Sequence, residues 1–109
     1  MATVTLGSPV DTKTVTVGTT TGRIEFGDAI KGRLSAVYVF CPTECRYQIK
    51  EASSLADGSA APASDYAVIP ASTLVPIPVS FSEEYDGAIV IWCPGGSDTM
   101  SIAPYPVTR

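Results

Sequence analysis

The sequence predicts an all-β domain, a sandwich or a barrel of eight or nine short strands. Three observations carry this. Helix signals are nearly absent. Strand-like runs recur between clusters of Gly, Pro, Asp and Ser. Several of those runs alternate polar and apolar residues with a period of two. The chain has 109 residues, the size of a single domain spanning 1–109. Apolar residues make up 45%, which supports one hydrophobic core and argues against a disordered chain.

The strands are expected near Thr3–Leu6, Lys13–Val17, Arg23–Phe26, Leu34–Phe40, Arg46–Lys50, Tyr66–Ile69, Thr73–Phe81, Ala88–Trp92 and Met100–Ala103. In Lys13-Thr-Val-Thr-Val17 and Arg23-Ile-Glu-Phe26 the alternation marks half-buried antiparallel strands. Ala36-Val-Tyr-Val-Phe40 and Ala88-Ile-Val-Ile-Trp92 are apolar on both faces. They should be central strands, covered on the second face by a loop, another sheet or a partner. These two also resemble each other, since Val37-Tyr-Val-Phe-Cys-Pro42 matches Ile89-Val-Ile-Trp-Cys-Pro94 in pattern. Each ends in Cys-Pro, and the proline forbids further ladder pairing. The one weak helix candidate is Lys50 to Asp57, with Gly58 as its cap. Ser53 to Ser64 reads as a long surface loop. The expected core is Ile24, Phe26, Val37, Val39, Ile49, Val68, Ile77, Val79, Ile89, Ile91 and Ile102, with Trp92 buried as well.

Prolines point to sheet edges. Val75-Pro-Ile-Pro-Val79 and Ala103-Pro-Tyr-Pro-Val107 carry Pro two residues apart, which removes two donors from one side of a strand. Each segment should therefore lie at an edge, with Pro76 and Pro78, or Pro104 and Pro106, facing away from the ladder. Such spacing serves either protection against edge-to-edge pairing or docking of a partner through side chains. Thr3, Val4, Thr5 and Leu6 carry no proline and could pair with a second chain by strand addition.

Chemistry is hard to find. The sequence contains no His and no Asn, which removes His-based triads and dyads, His-ligated metals and N-glycosylation. Gly95-Gly96 leads from a strand toward another strand, unlike a phosphate-binding loop. Cys41 and Cys45 are spaced C-x3-C and Cys93 stands alone, so zinc would lack a fourth ligand other than a carboxylate such as Glu44. The cysteines read as small buried hydrophobes at strand ends, expected to be reduced, with Cys41–Cys93 the pairing to test if two are joined. The acidic turn Glu83-Glu-Tyr-Asp86 lacks the alternating spacing of calcium loops and reads as solvated. No catalytic, cofactor-binding or metal-binding residue is assigned from sequence, and an enzyme is not expected.

Net charge is −4, the wrong sign for nucleic-acid binding. Six of the seven basic residues lie in residues 1–50, and seven acidic residues lie from Glu51 onward. This asymmetry either helps to dock a partner or disappears when strands of the two halves interleave. No run approaches the ~18 apolar residues of a membrane span. The opening Met-Ala-Thr-Val-Thr-Leu has no signal-peptide pattern, so a cytoplasmic origin and no membrane partner are expected.

The layout resembles the small decoration, or cement, proteins of tailed-bacteriophage capsids. The resemblance rests on the Met-Ala start, a Thr-rich first hairpin from Thr3 to Thr21, and the Ile69-Pro-Ala71 turn before Leu74-Val-Pro-Ile-Pro-Val79. It also rests on the terminal Ile102-Ala-Pro-Tyr-Pro-Val107. It is a likeness of style over the whole chain, without a diagnostic motif. It implies a jelly-roll or Ig-like sandwich on the virion surface, often a homotrimer, bound to the major capsid protein and carrying no catalytic residues. The expectation is thus an antiparallel, jelly-roll-like β-sandwich with a non-enzymatic structural role across neighbouring capsid subunits. Its contacts would come from Thr3, Val4, Thr5, Leu6, Pro76, Pro78, Pro104, Tyr105 and Pro106. A carbohydrate-binding or tail-fibre module is the alternative. Exposed tyrosines near Tyr85 and Tyr105 would favour sugar, and a flat apolar or charged patch would favour a structural partner.

Overall fold

A computed structural model describes residues 3–8, 12–27, 30, 34–51, 60–79 and 87–106, with Tyr105 and Pro106 as backbone only. Among the described residues nine strands form: β1 (Thr3–Leu6), β2 (Lys13–Val17), β3 (Gly22–Phe26), β4 (Leu34–Phe40), β5 (Cys45–Glu51), β6 (Ala67–Ile69), β7 (Val75–Pro78), β8 (Gly87–Trp92) and β9 (Asp98–Pro106). All nine expected strands are present. Lys50 and Glu51 belong to β5, so the weak helix candidate begins as strand. Its remainder, most of the 53–64 loop and the acidic turn 83–86 lie outside the described residues.

The strands lie in two sheets, ordered β1-β3-β8-β5-β6 and β2-β9-β4-β7. The pairings β2–β9, β3–β8, β4–β7 and β5–β6 bring the first half of the chain antiparallel to the second. The chain is thus one long hairpin wound over itself, and β4–β9 and β5–β8 seal the winding. This is the jelly-roll arrangement of eight strands in two sheets. β1 is an addition to it. It joins the rim of the five-stranded sheet parallel to β3, in register from Thr3↔Arg23 to Leu6↔Phe26. The expected first hairpin does not form, because β1 and β2 belong to opposite sheets.

The core lies between the sheets. Leu6, Val17, Ile24, Val37, Val39, Ile69, Ile77, Ile89, Ile91, Met100 and Ile102 are fully buried there, with Phe26, Leu34 and Val79 nearly so. Two expected core residues are not in it. Ile49 is 40% exposed. It continues the buried row Ile24–Ile89, but β6 pairs β5 only over residues 45–47, so among the described residues no strand stands beyond it. Val68 is 46% exposed. In Ala67-Val-Ile69 every residue is apolar, so nothing local sets the phase. The register Cys45↔Ile69 puts Ile69 inward and Val68 outward.

The two proline segments behave differently. β7 is an edge strand, as expected. The Val79 N–H donates to the Ser35 carbonyl at 3.1 Å, so odd-numbered residues of β7 face β4 and Pro76 and Pro78 turn their nitrogens outward. β9, by contrast, is an inner strand between β2 and β4, which corrects the edge assignment for Pro104 and Pro106. Its pairing with β2 ends at Lys13↔Ile102, while that with β4 runs on to Leu34↔Pro106. The prolines occupy the overhang past β2, where among the described residues β4 alone pairs with β9.

Candidate functional site

Strand alternation fixes which residues each sheet turns away from the core. On the five-stranded sheet they are Thr3 and Thr5 of β1, Arg23 and Glu25 of β3, Ala88, Val90 and Trp92 of β8, Arg46, Gln48 and Lys50 of β5, and Val68 of β6. This face is apolar along β8 and charged on the two strands beside it, β3 and β5. Arg23 Nε and Glu25 Oε2 pair at 2.6 Å. Trp92 is 1% exposed even though it lies on the outer face. The Tyr66 ring meets it edge-on, 5.8 Å between centroids at 83°. The Arg46 guanidinium in turn lies 4.5 Å above Tyr66. Gln48 Nε2 donates to the carbonyls of Asp65 (2.8 Å) and Ser64 (3.3 Å), tying the segment before β6 to the sheet. Asp65 adopts φ 62°, the left-handed turn that brings Tyr66 back over the strands.

The four-stranded sheet is the opposite case. Its outward residues are Thr14 and Thr16 of β2, Thr99, Ser101 and Ala103 of β9, Ala36, Tyr38 and Phe40 of β4, and Pro76 and Pro78 of β7. None of these described residues is charged. The four Thr and Ser residues and both prolines are exposed, and Ala36, Tyr38, Phe40 and Ala103 are half-buried. Of the six basic residues of residues 1–50, Lys31 and Arg33 lie outside the described residues and Lys13 belongs to β2 of this sheet. Arg23, Arg46 and Lys50 all stand on the outer face of the five-stranded sheet.

Of the residues expected to contact a partner, Pro76 and Pro78 join this uncharged face. Pro104 stands opposite core-facing Val37 and is half-buried. Tyr105 pairs with Ala36 and Pro106 with Leu34. The side chains of Tyr85, Tyr105 and Pro106 lie outside the described residues. In β1, Leu6 is core, Val4 packs against it, and Thr3 and Thr5 are exposed. The Leu6 carbonyl accepts from Gly27 N–H at 2.9 Å, so Leu6 and Val4 turn their backbone groups toward β3. Those of Thr3 and Thr5 point to the open rim.

A second assembly was not legible from spacing. The Sγ atoms of Cys41, Cys45 and Cys93 all lie within 4.8 Å of one another, and all three residues are buried free thiols. Cys41 and Cys93 do not end adjacent strands, since β4 and β8 belong to different sheets. They meet because the chain turns at residues 42–44 into β5, which pairs with β8 from Arg46↔Trp92 onward. Thr43 Oγ1 lies 3.1 Å from Cys93 Sγ and 3.9 Å from Cys41 Sγ. Cys93 Sγ donates to the Glu44 carbonyl (3.4 Å) and Cys45 Sγ to the Thr43 carbonyl (3.6 Å). Burial pushes the Cys45 thiol well above its ordinary range, and the neighbouring Cys41 and Cys93 sulfurs push it further.

An open groove of about 380 Å³ lies beside β5, lined by Tyr47, Gln48, Ile49, Lys50, Asp65 and Ala67. The chain matches no family model, and neither a curated protein nor a solved structure matches it.

Proposed function

We propose that this protein is a non-enzymatic structural component of a virion, a capsid decoration protein that binds across neighbouring subunits of the major capsid protein. The observation that carries this reading is the uncharged outer face of the four-stranded sheet. A surface of Thr, Ser, Ala, Pro and half-buried aromatics can be covered without desolvating a charge. Its edge strand β7 is closed to strand addition by Pro76 and Pro78. At that edge a partner would therefore meet this face through side chains. The rim of β1 offers backbone groups of Thr3 and Thr5 as a second contact. The homotrimer implied by the resemblance is part of the proposal.

The test places a charge at the centre of the face. Ser101 is exposed and stands between Thr14 and Phe40 in register. Ser101→Lys should weaken co-sedimentation with capsids at least about tenfold, since a buried unpaired charge costs more than one such factor. Thr5→Pro removes an outward donor without touching the ladder to β3 and should lower binding less. Capsid binding unchanged in Ser101→Lys would overturn the assignment of the face. Binding to a glycan array without binding to capsids would put the carbohydrate reading in its place, with Tyr38 and Phe40 as the stacking residues.

A further inference from the structure

We propose that Cys41, Cys45 and Cys93 form a binding site for a divalent thiophilic cation of the Zn(II) class, clamping the two sheets together at one end. Three thiolates around one ion, with metal–sulfur bonds of about 2.3 Å, stand about 3.8–4.0 Å apart. The three sulfurs already lie within 4.8 Å of one another, so small side-chain rotations close the set. The ligands come from three places: the end of β4 in one sheet, and the start of β5 and the end of β8 in the other. Their backbones are held independently. Ser72 N–H donates to the Cys41 carbonyl at 2.8 Å, and Cys93 N–H donates to the Gly18 carbonyl at 2.7 Å. Preset ligand backbones of this kind are what a metal site requires of its surroundings.

Ligand type and charge select the ion. Sulfur donors select soft cations over Mg²⁺ or Ca²⁺. Three thiolates leave one negative charge in excess around a divalent ion and two around a monovalent one. In a buried site the smaller excess is favoured. The Glu44 carboxylate is not the fourth ligand in this arrangement, because it faces solvent and pairs with Arg46 Nε at 3.3 Å. Thr43 is exposed as a residue while its hydroxyl touches the cluster, so the fourth position falls on the side of the 42–44 turn. It is open there to that hydroxyl or to water. Binding displaces the thiol protons to solvent and is therefore coupled to proton release.

The experiment uses the full chain, reduced and freed of metal. Co(II) serves as the probe, because its thiolate complexes absorb in the near ultraviolet with an intensity that counts the sulfurs. The expected result is a thiolate charge-transfer band that saturates at one equivalent with the intensity of three sulfurs. Zn(II) should abolish it by displacement, and Zn(II) should raise the melting temperature of the reduced chain. Cys93→Ala should lose saturable binding at the same concentrations. Should that variant fail to fold, the wild-type titration decides alone. No band and no thermal shift in folded, reduced wild-type protein would overturn the proposal. So would an unchanged titration in a folded Cys93→Ala variant, or saturable binding of Cu(I) with none of Zn(II).

Discussion

β4 and β8 carry nearly the same sequence pattern, ending in Val-Tyr-Val-Phe-Cys-Pro and Ile-Val-Ile-Trp-Cys-Pro, yet their outer faces end in opposite states. Every residue of β8 is buried, whereas Ala36, Tyr38 and Phe40 of β4 remain half-exposed. The difference lies in their neighbours. β8 is flanked by Arg23 on one side and by Arg46, Gln48 and Lys50 on the other. Long side chains of this kind lay aliphatic stems over apolar surface while their polar ends stay in water. Among the described side chains, those flanking β4 are Pro76, Pro78, Ser101 and Ala103, which are too short to reach across it. An apolar strip is thus closed within the chain on one sheet and left for contact on the other.

The largest test of this comparison removes the two corresponding aromatics. Trp92→Ala should cost about 3–5 kcal/mol, from lost transfer energy and the cavity left under Tyr66. Phe40→Ala should cost about 1 kcal/mol, because only part of the ring leaves water on folding. Urea unfolding of both variants measures the difference. Equal losses would mean that the outer face of β4 is as well covered as that of β8.

The same comparison shows what the sequence could reveal. Strand positions were legible, because Gly, Pro and Asp punctuate them and alternation marks their faces. The burial of Trp92 was legible too, since its strand has no polar side. Sheet membership was not. Nothing local tells Thr3–Leu6 to pair parallel with β3 in place of forming a hairpin with β2. The phase of Ala67-Val-Ile69 is equally silent: the expected core includes Val68, and the residue that turns inward is Ile69. The cysteine cluster needed the winding of the chain, because Cys93 lies far from Cys41 and Cys45 in sequence and meets them only through the β5–β8 pairing. The uncharged face was partly readable. Thr14, Thr16, Thr99 and Ser101 are the polar members of alternating runs, but only the β2–β9 and β4–β9 registers bring them beside Tyr38 and Phe40.

A smaller effect tests the lid on β8 itself. Arg46→Ala removes the guanidinium over Tyr66 and the stem beside Trp92, and should cost about 1 kcal/mol. The exposed contact with Glu44 contributes little to that figure. Trp92 is the sole tryptophan, so its fluorescence reports the lid directly. Emission should shift to the red in Arg46→Ala, and less in Arg46→Lys, which keeps the stem but not the planar stack. An unchanged spectrum in Arg46→Ala would assign the cover of Trp92 to Tyr66 alone.

The smallest expected effect is on the open face. Ser101 is exposed, and a lysine there can extend into water past Thr14 and Phe40. Ser101→Lys should therefore change the stability of the isolated chain by no more than about 0.5 kcal/mol. The same substitution at Val90, its counterpart in the covered strip, would bury an ammonium group between Arg23 and Gln48 and should be far more destabilising. Thermal melts of the two variants side by side make the measurement. If Ser101→Lys destabilises the isolated chain as strongly as Val90→Lys, the four-stranded sheet is covered within the protein itself. A loss of capsid binding in Ser101→Lys would then reflect unfolding, and the face could no longer be argued as the contact surface.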